Sequence, residues 1–86
     1  MKRRKIEIEL MNALYREPMR ESRVASAIAR SRQISERRVI HVLKRLQERK
    51  LIKNIDKVSN AGAEPIYKLT KEGELLLETE VKEQFT

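Results

Sequence analysis

Residues 28–53 read IARSRQISERRVIHVLKRLQERKLIK, and this stretch decides the fold. Its second half carries Val39, Val42, Leu43 and Leu46 at i, i+3, i+4 and i+7, the spacing of one buried helical stripe. Arg37, Arg38, His41, Lys44, Arg45 and Glu48 take the opposite face. A helix is predicted from about Glu36 to Lys50, with Ser35 as its N-cap. Ile40 falls on or near the polar face, an unusual place for an apolar β-branched side chain. Upstream, Arg32-Gln33-Ile34-Ser35 is a short turn, and residues 21–31 form another helix. Ser22 is the expected N-cap of that helix, and Val24, Ala27, Ile28 and Ser31 form its narrow face of small residues.

Working outward, residues 5–16 repeat apolar side chains at Ile6, Leu10 and Leu14, with Met11 and Ala13 beside them, and predict a first helix. Ile6, Ile8 and Leu10 also alternate, so a short initial strand is the alternative there. Pro18 ends the helix or re-aims the chain. Downstream, Leu51 to Val58 is rich in β-branched residues and reads as a strand. Residues 59–64, SNAGAE, have turn chemistry, and Ile66 to Leu69 is a second strand with Tyr67 and Leu69 on one face. Pro65 is tolerated at a strand start. Thr70 caps a last helix over 71–84, with Leu76, Leu77, Val81 and Phe85 as its apolar stripe. The fold class is therefore α+β and mostly helical, a single domain over 1–86 in the order helix, helix, turn, helix, hairpin, helix.

Composition narrows the function. The chain has 86 residues, 20 Lys plus Arg, 13 Asp plus Glu, and a formal net charge of +7. Apolar residues reach 40 %, too many for simple disorder. The charge is segregated. Residues 71–86 hold two lysines against five glutamates, net −3, which leaves +10 on residues 1–70. Residues 20–53 alone hold eleven basic and three acidic residues, net +8. A surface built only for solubility and ion pairs needs no such segregation. A polyanion, usually nucleic acid, is the partner it suits.

Other classes are excluded or unsupported. There is no Cys, hence no disulfide, thiolate nucleophile or zinc finger. One His, one Asp and two glycines, with no glycine-rich phosphate loop, give no basis for an enzyme, a metal site or a cofactor. No apolar run exceeds three residues, as in Leu75-Leu76-Leu77, so none can span a membrane, and Met1 to Lys5 lacks the apolar core of a secretory leader. The expected location is cytoplasmic and nucleoid-associated.

The stretch 28–53 resembles a helix-turn-helix followed by a first wing strand, and Tyr67-Lys68-Leu69-Thr70-Lys71-Glu72-Gly73 resembles the "Y-x-L-T-x-x-G" that closes the wing in winged-helix regulators of the PadR and MarR types. The chain is also similar to the small winged-helix proteins of archaea, viruses and plasmids. The resemblance covers nearly the whole sequence. It implies three helices, a two-stranded β-hairpin wing, a C-terminal helix, and a homodimeric DNA-binding transcriptional regulator. Two positions depart from the pattern. Gln33 and Lys50 stand where such proteins often have Gly, which takes positive φ without strain. The hairpin tip has no Lys or Arg, with only Lys57 and Asn60 near it.

In this motif the first half of the third helix enters the major groove, where base edges carry a distinct donor and acceptor pattern. That half offers Ser35, Arg37, Arg38 and His41, followed by Lys44 and Arg45 nearer the flanking backbone. Which of Arg37 and Arg38 reads a base depends on a docking angle. Ile40 falls where the family places a DNA-facing side chain, suited to a thymine methyl, with a packing role as the alternative. Arg20, Ser22 and Arg23 open the second helix, a place for a phosphate. Lys2, Arg3, Arg4 and Lys5 suit either a minor-groove arm or a solubilising terminus. The resemblance also implies dimerisation through the first and last helices. Ile8, Met11, Leu76, Leu77, Val81 and Phe85 are the candidate interface, or else complete the monomer core. Two other functions fit the same fold: a sequence-tolerant chromatin or partition DNA-binding protein, and a winged-helix protein-interaction module.

Overall fold

The computed structural model describes residues 2–56 and 64–85, with side chains for 5–56 and 64–80. The elements are α1 (Lys2–Arg16), β1 (Met19–Arg20), α2 (Glu21–Arg32), α3 (Glu36–Glu48), β2 (Ile52–Asn54), β3 (Ile66–Leu69) and α4 (Lys71–Phe85). The expected order of helices and hairpin is present. Residues 6–10 are helical, so the alternating Ile6, Ile8 and Leu10 do not form a strand. The sheet has one strand more than expected. It runs β1-β3-β2, all antiparallel, with Met19 opposite Tyr67 and Ile52 opposite Leu69. Two residues after Pro18 are too short for an alternating pattern, and β1 exists because β3 offers it a free edge. The first wing strand is shorter than expected: β2 covers Ile52 to Asn54, and Val58 lies outside the described residues.

The helices surround one core. Leu10, Met11 and Leu14 of α1, Val24 and Ile28 of α2, and Val39, Leu43 and Leu46 of α3 are buried. Ile52, Tyr67 and Leu69 close it from the sheet, and Leu77 from α4. Val42, expected in the buried stripe of α3, is half-buried at its margin, as is Ile40. The small-residue face of α2 needs correcting. Ala25 and Ala29 are in the core, whereas Ala27 and Ser31 are exposed. Alanines at 25, 27 and 29 are chemically alike, so sequence alone cannot phase that helix around Val24 and Ile28.

Two expected turns have the conformation their position demands. Gln33 has φ 56° and Lys50 φ 63°, both left-handed and both non-glycine. Gln33 ends α2, and its backbone N–H donates to the Ala29 carbonyl. Lys50 turns the chain from α3 into the buried Leu51. The Thr70-Lys71-Glu72-Gly73 segment now has a physical explanation. The Thr70 hydroxyl accepts from the Gly73 N–H at 3.1 Å, capping α4. Its own proton lies between the carbonyls of Lys50 (2.8 Å) and Leu51 (2.9 Å). The Thr70 N–H donates to the same Leu51 carbonyl at 3.0 Å. That carbonyl lies so close to Gly73 that a Cβ there would sit 2.2 Å from it, so only glycine fits.

Candidate nucleic-acid interface

α3 starts as expected. The Ser35 side chain accepts from the Arg38 N–H at 3.2 Å, and Glu36 in the first turn suits the helix dipole. At roughly 100° per residue, Val39, Leu43 and Leu46 share one side, and Arg37 and His41 point almost directly away from it. Arg38 and Arg45 lie together on one flank and Lys44 on the other. All five are exposed. Ile40 is half-buried against the core, so part of its side chain reaches solvent.

Ion pairing separates these cations from their neighbours. Glu9 of α1 holds Arg32, with the Ser31 hydroxyl on its other oxygen, and Glu7 holds Arg49 at 3.6 Å. These links tie α1 to the ends of α2 and α3. Arg37, Arg38, Lys44 and Arg45 have no carboxylate partner among the described residues. Sequence reasoning missed both α1 links, because neither spacing nor periodicity brings Glu7 to Arg49 or Glu9 to Arg32.

The start of α2 differs from expectation. Its N-cap is Arg20, in extended conformation and without a side-chain cap bond. Ser22 lies inside the first turn instead. Its N–H and its hydroxyl both donate to the Glu64 carboxylate at 3.0 Å, which occupies the place expected for a phosphate. Arg20 and Arg23 remain exposed beside it. Two further bonds join this turn to the wing. The Glu21 N–H donates to the Pro65 carbonyl at 3.0 Å, and the Tyr67 hydroxyl donates to the Glu21 carboxylate at 2.9 Å. Burial first, then the Glu21 carboxylate as acceptor and as charge, pushes the Tyr67 phenol well above the ordinary tyrosine range.

A groove runs between α1 and one flank of α3. It is lined by the apolar Ile6, Ile34 and Val42, by Lys5, Arg32, Arg38, His41 and Arg45, and by one carboxylate, Glu7. Arg37 and Lys44 do not line it. Lys57 and Asn60, expected near the wing tip, lie outside the described residues, as do the side chains of Val81 and Phe85. Of the candidate interface residues, Met11 is 1 % exposed and Leu77 5 %, so both complete the monomer core and neither is open to a partner. Ile8 and Leu76 are half-buried, and Leu75, not singled out from sequence, is 57 % exposed. Among the described residues no group of three or more His, Cys, Asp or Glu could hold a metal ion, and no helix is long and apolar enough to cross a membrane.

No family model and no curated protein matches this sequence. Solved structures do. A PadR-like transcription factor from Bacteroides fragilis superposes with a TM-score of 0.75 at 26 % identity, over 99 % of this chain and 84 % of that one. A PadR-like transcriptional regulator from Bacillus cereus strain ATCC 14579 superposes with a TM-score of 0.72 at 24 % identity, over 92 % of this chain and 79 % of that one. The resemblance carried by the helix-turn-helix and the YKLTKEG stretch thus extends to three dimensions, and the chain has the winged-helix fold of PadR-like transcriptional regulators.

Proposed function

We propose that this chain is a DNA-binding transcriptional regulator that inserts α3 into the major groove and acts as a homodimer. The observation that carries the reading is the set of exposed α3 cations with no carboxylate partner among the described residues, Arg37, Arg38, Lys44 and Arg45, on a fold shared with transcriptional regulators. A surface of cations built for stability would hold them in ion pairs, as Arg32 and Arg49 are held. In this reading the half of α3 that enters the major groove carries Ser35, Arg37, Arg38 and His41, with one of the two arginines on a base edge, Lys44 and Arg45 meet the backbone, and the exposed part of Ile40 meets a thymine methyl. Arg20 and Arg23 serve flanking phosphates, and Ser22 joins them only if Glu64 withdraws. Lys57 and Asn60 are minor wing contacts.

Residues 1–86 act as one DNA-binding domain, with 71–86 as its dimerisation element. Ile8 and Leu76 keep apolar surface open for a second copy, and Leu75 joins them. Val81 and Phe85 complete that surface in this reading. The net −3 of residues 71–86 keeps α4 away from phosphate. The test is duplex affinity by fluorescence anisotropy at several salt concentrations. A dimer making about 6–10 phosphate contacts loses roughly 10³–10⁵ in affinity between 50 and 200 mM salt. Nearly flat affinity over that range refutes DNA binding. Equal affinity for a selected and a scrambled duplex leaves DNA binding but removes the regulator reading.

A further inference from the structure

We propose that the groove between α1 and α3 seats the sugar–phosphate backbone of one DNA strand, with Lys5, Arg38 and Arg45 as its phosphate contacts, so that Arg38 positions the domain and Arg37, which lies outside the groove, reads bases. The inference rests on the DNA-binding reading above and assigns roles within it. A helix lying in the major groove has a phosphate strand on each side. Lys44, on the opposite flank of α3, suits one side; the groove beside α1 supplies the other.

Three observations support the assignment. First, Arg38 and Arg45 are seven residues apart on the same flank, about 10 Å along the axis, and both line the groove, whereas Arg37 does not. An arginine turned to the flank meets the wall of the DNA groove; one turned outward meets its floor. Second, the groove keeps an excess of positive charge, with Lys5, Arg32, Arg38 and Arg45 against Glu7. Glu7 reaches the groove but pairs with Arg49, and Glu9 pairs with Arg32. Lys5, Arg38 and Arg45 have no carboxylate among the described residues. Third, part of the lining is apolar. Ile6, Ile34 and Val42 match the C–H faces of deoxyribose between successive phosphates. A backbone that alternates charge and apolar sugar fits a surface that does the same.

The experiment compares the full chain with Arg37→Gln, Arg38→Gln, Arg45→Gln, Lys5→Gln and Lys5→Arg. All are surface changes, and circular dichroism confirms that each variant folds. The probes are a duplex selected from random DNA and its scrambled counterpart, each titrated from 50 to 200 mM salt. Lys5→Gln, Arg38→Gln and Arg45→Gln are expected to weaken both duplexes by the same factor. Each should lower the salt slope by about one, and Lys5→Arg should preserve it. Arg37→Gln is expected to weaken the selected duplex roughly tenfold to a hundredfold more than the scrambled one. Wild-type affinity that ignores salt fails the DNA reading itself. Normal wild-type salt dependence, with Lys5→Gln and Arg38→Gln unchanged in slope, overturns the groove alone. Selective loss on one duplex by Arg38→Gln overturns its positioning role.

Discussion

Gly73→Ala tests how α4 is docked. The added Cβ would lie 2.2 Å from the Leu51 carbonyl oxygen and 2.7 Å from Leu69 Cδ1. Ordinary van der Waals contact begins near 3.4 Å, so the first turn of α4 must retreat by more than 1 Å or the carbonyl must swing away. Neither movement is free. The carbonyl accepts from the Thr70 N–H and lies by its hydroxyl, and Thr70 also caps α4 through Gly73. Overpacking costs about 1–3 kcal/mol, and each hydrogen bond loosened about 1 kcal/mol more. The better helix propensity of Ala returns at most about 1 kcal/mol. The net expectation is a loss of about 2–4 kcal/mol, a large part of the roughly 4–13 kcal/mol that a chain of this size holds. Urea unfolding followed by circular dichroism measures it, with exposed Glu74→Ala as a neighbour expected within about 0.5 kcal/mol of the parent. If Gly73→Ala unfolds at the parental midpoint, the close approach of Leu51 to α4 is wrong.

Tyr67→Phe removes the bond to Glu21 and should cost about 1–3 kcal/mol. The same variant has a pH signature. The folded phenol titrates above its unfolded value of 10.0, so its stabilising contribution is complete below that pH and is lost as pH rises above it. The parent should therefore lose stability above pH 10 faster than the variant, by up to about 1.4 kcal/mol per pH unit, and parallel curves would contradict this. Gln33→Gly relieves a left-handed non-glycine residue and should stabilise by up to about 1 kcal/mol, partly offset by the freer unfolded chain; a lower melting temperature would count against it. Truncation after Thr70 deletes Gly73 and buried Leu77 and bares α1, so the remainder should unfold, or lose the proposed dimer, by sedimentation; a folded dimer with unchanged DNA affinity argues otherwise.

The sequence made the helical scaffold readable where one side chain pattern had one solution. Val39, Leu43 and Leu46 could face only one way, and Ser35 and Thr70 stand where their hydroxyls reach an unpaired N–H. Gln33 and Lys50 drew notice as missing glycines, and both carry positive φ. What stayed hidden is tertiary. Ser22 looks like a cap until Glu64, 42 residues away, is seen to hold it. Met11 looks as suited to a partner as to a core, because burial depends on what packs over α1. β1 has no pattern of its own and is defined by β3. At the candidate site the cations themselves were legible, but their pairing was not. Glu7 and Glu9 select which arginines are neutralised, and no local spacing reveals that choice.

The bonds from residues 21 and 22 to residues 64 to 67 also set the order in which the chain assembles. They enclose α2, the turn, α3 and β2 in a chain loop of more than 40 residues, since their partners are 42 and 46 positions apart. α2 and α3 gain their own hydrogen bonds locally and quickly, whereas closing such a loop carries an entropy cost that only the completed sheet repays. Folding is therefore expected to be limited by arrival of β3 beside β1, and to be slower than that of a purely helical chain of this length. Tyr67→Phe, which weakens the juncture formed in that step, should then slow folding as well as speed unfolding.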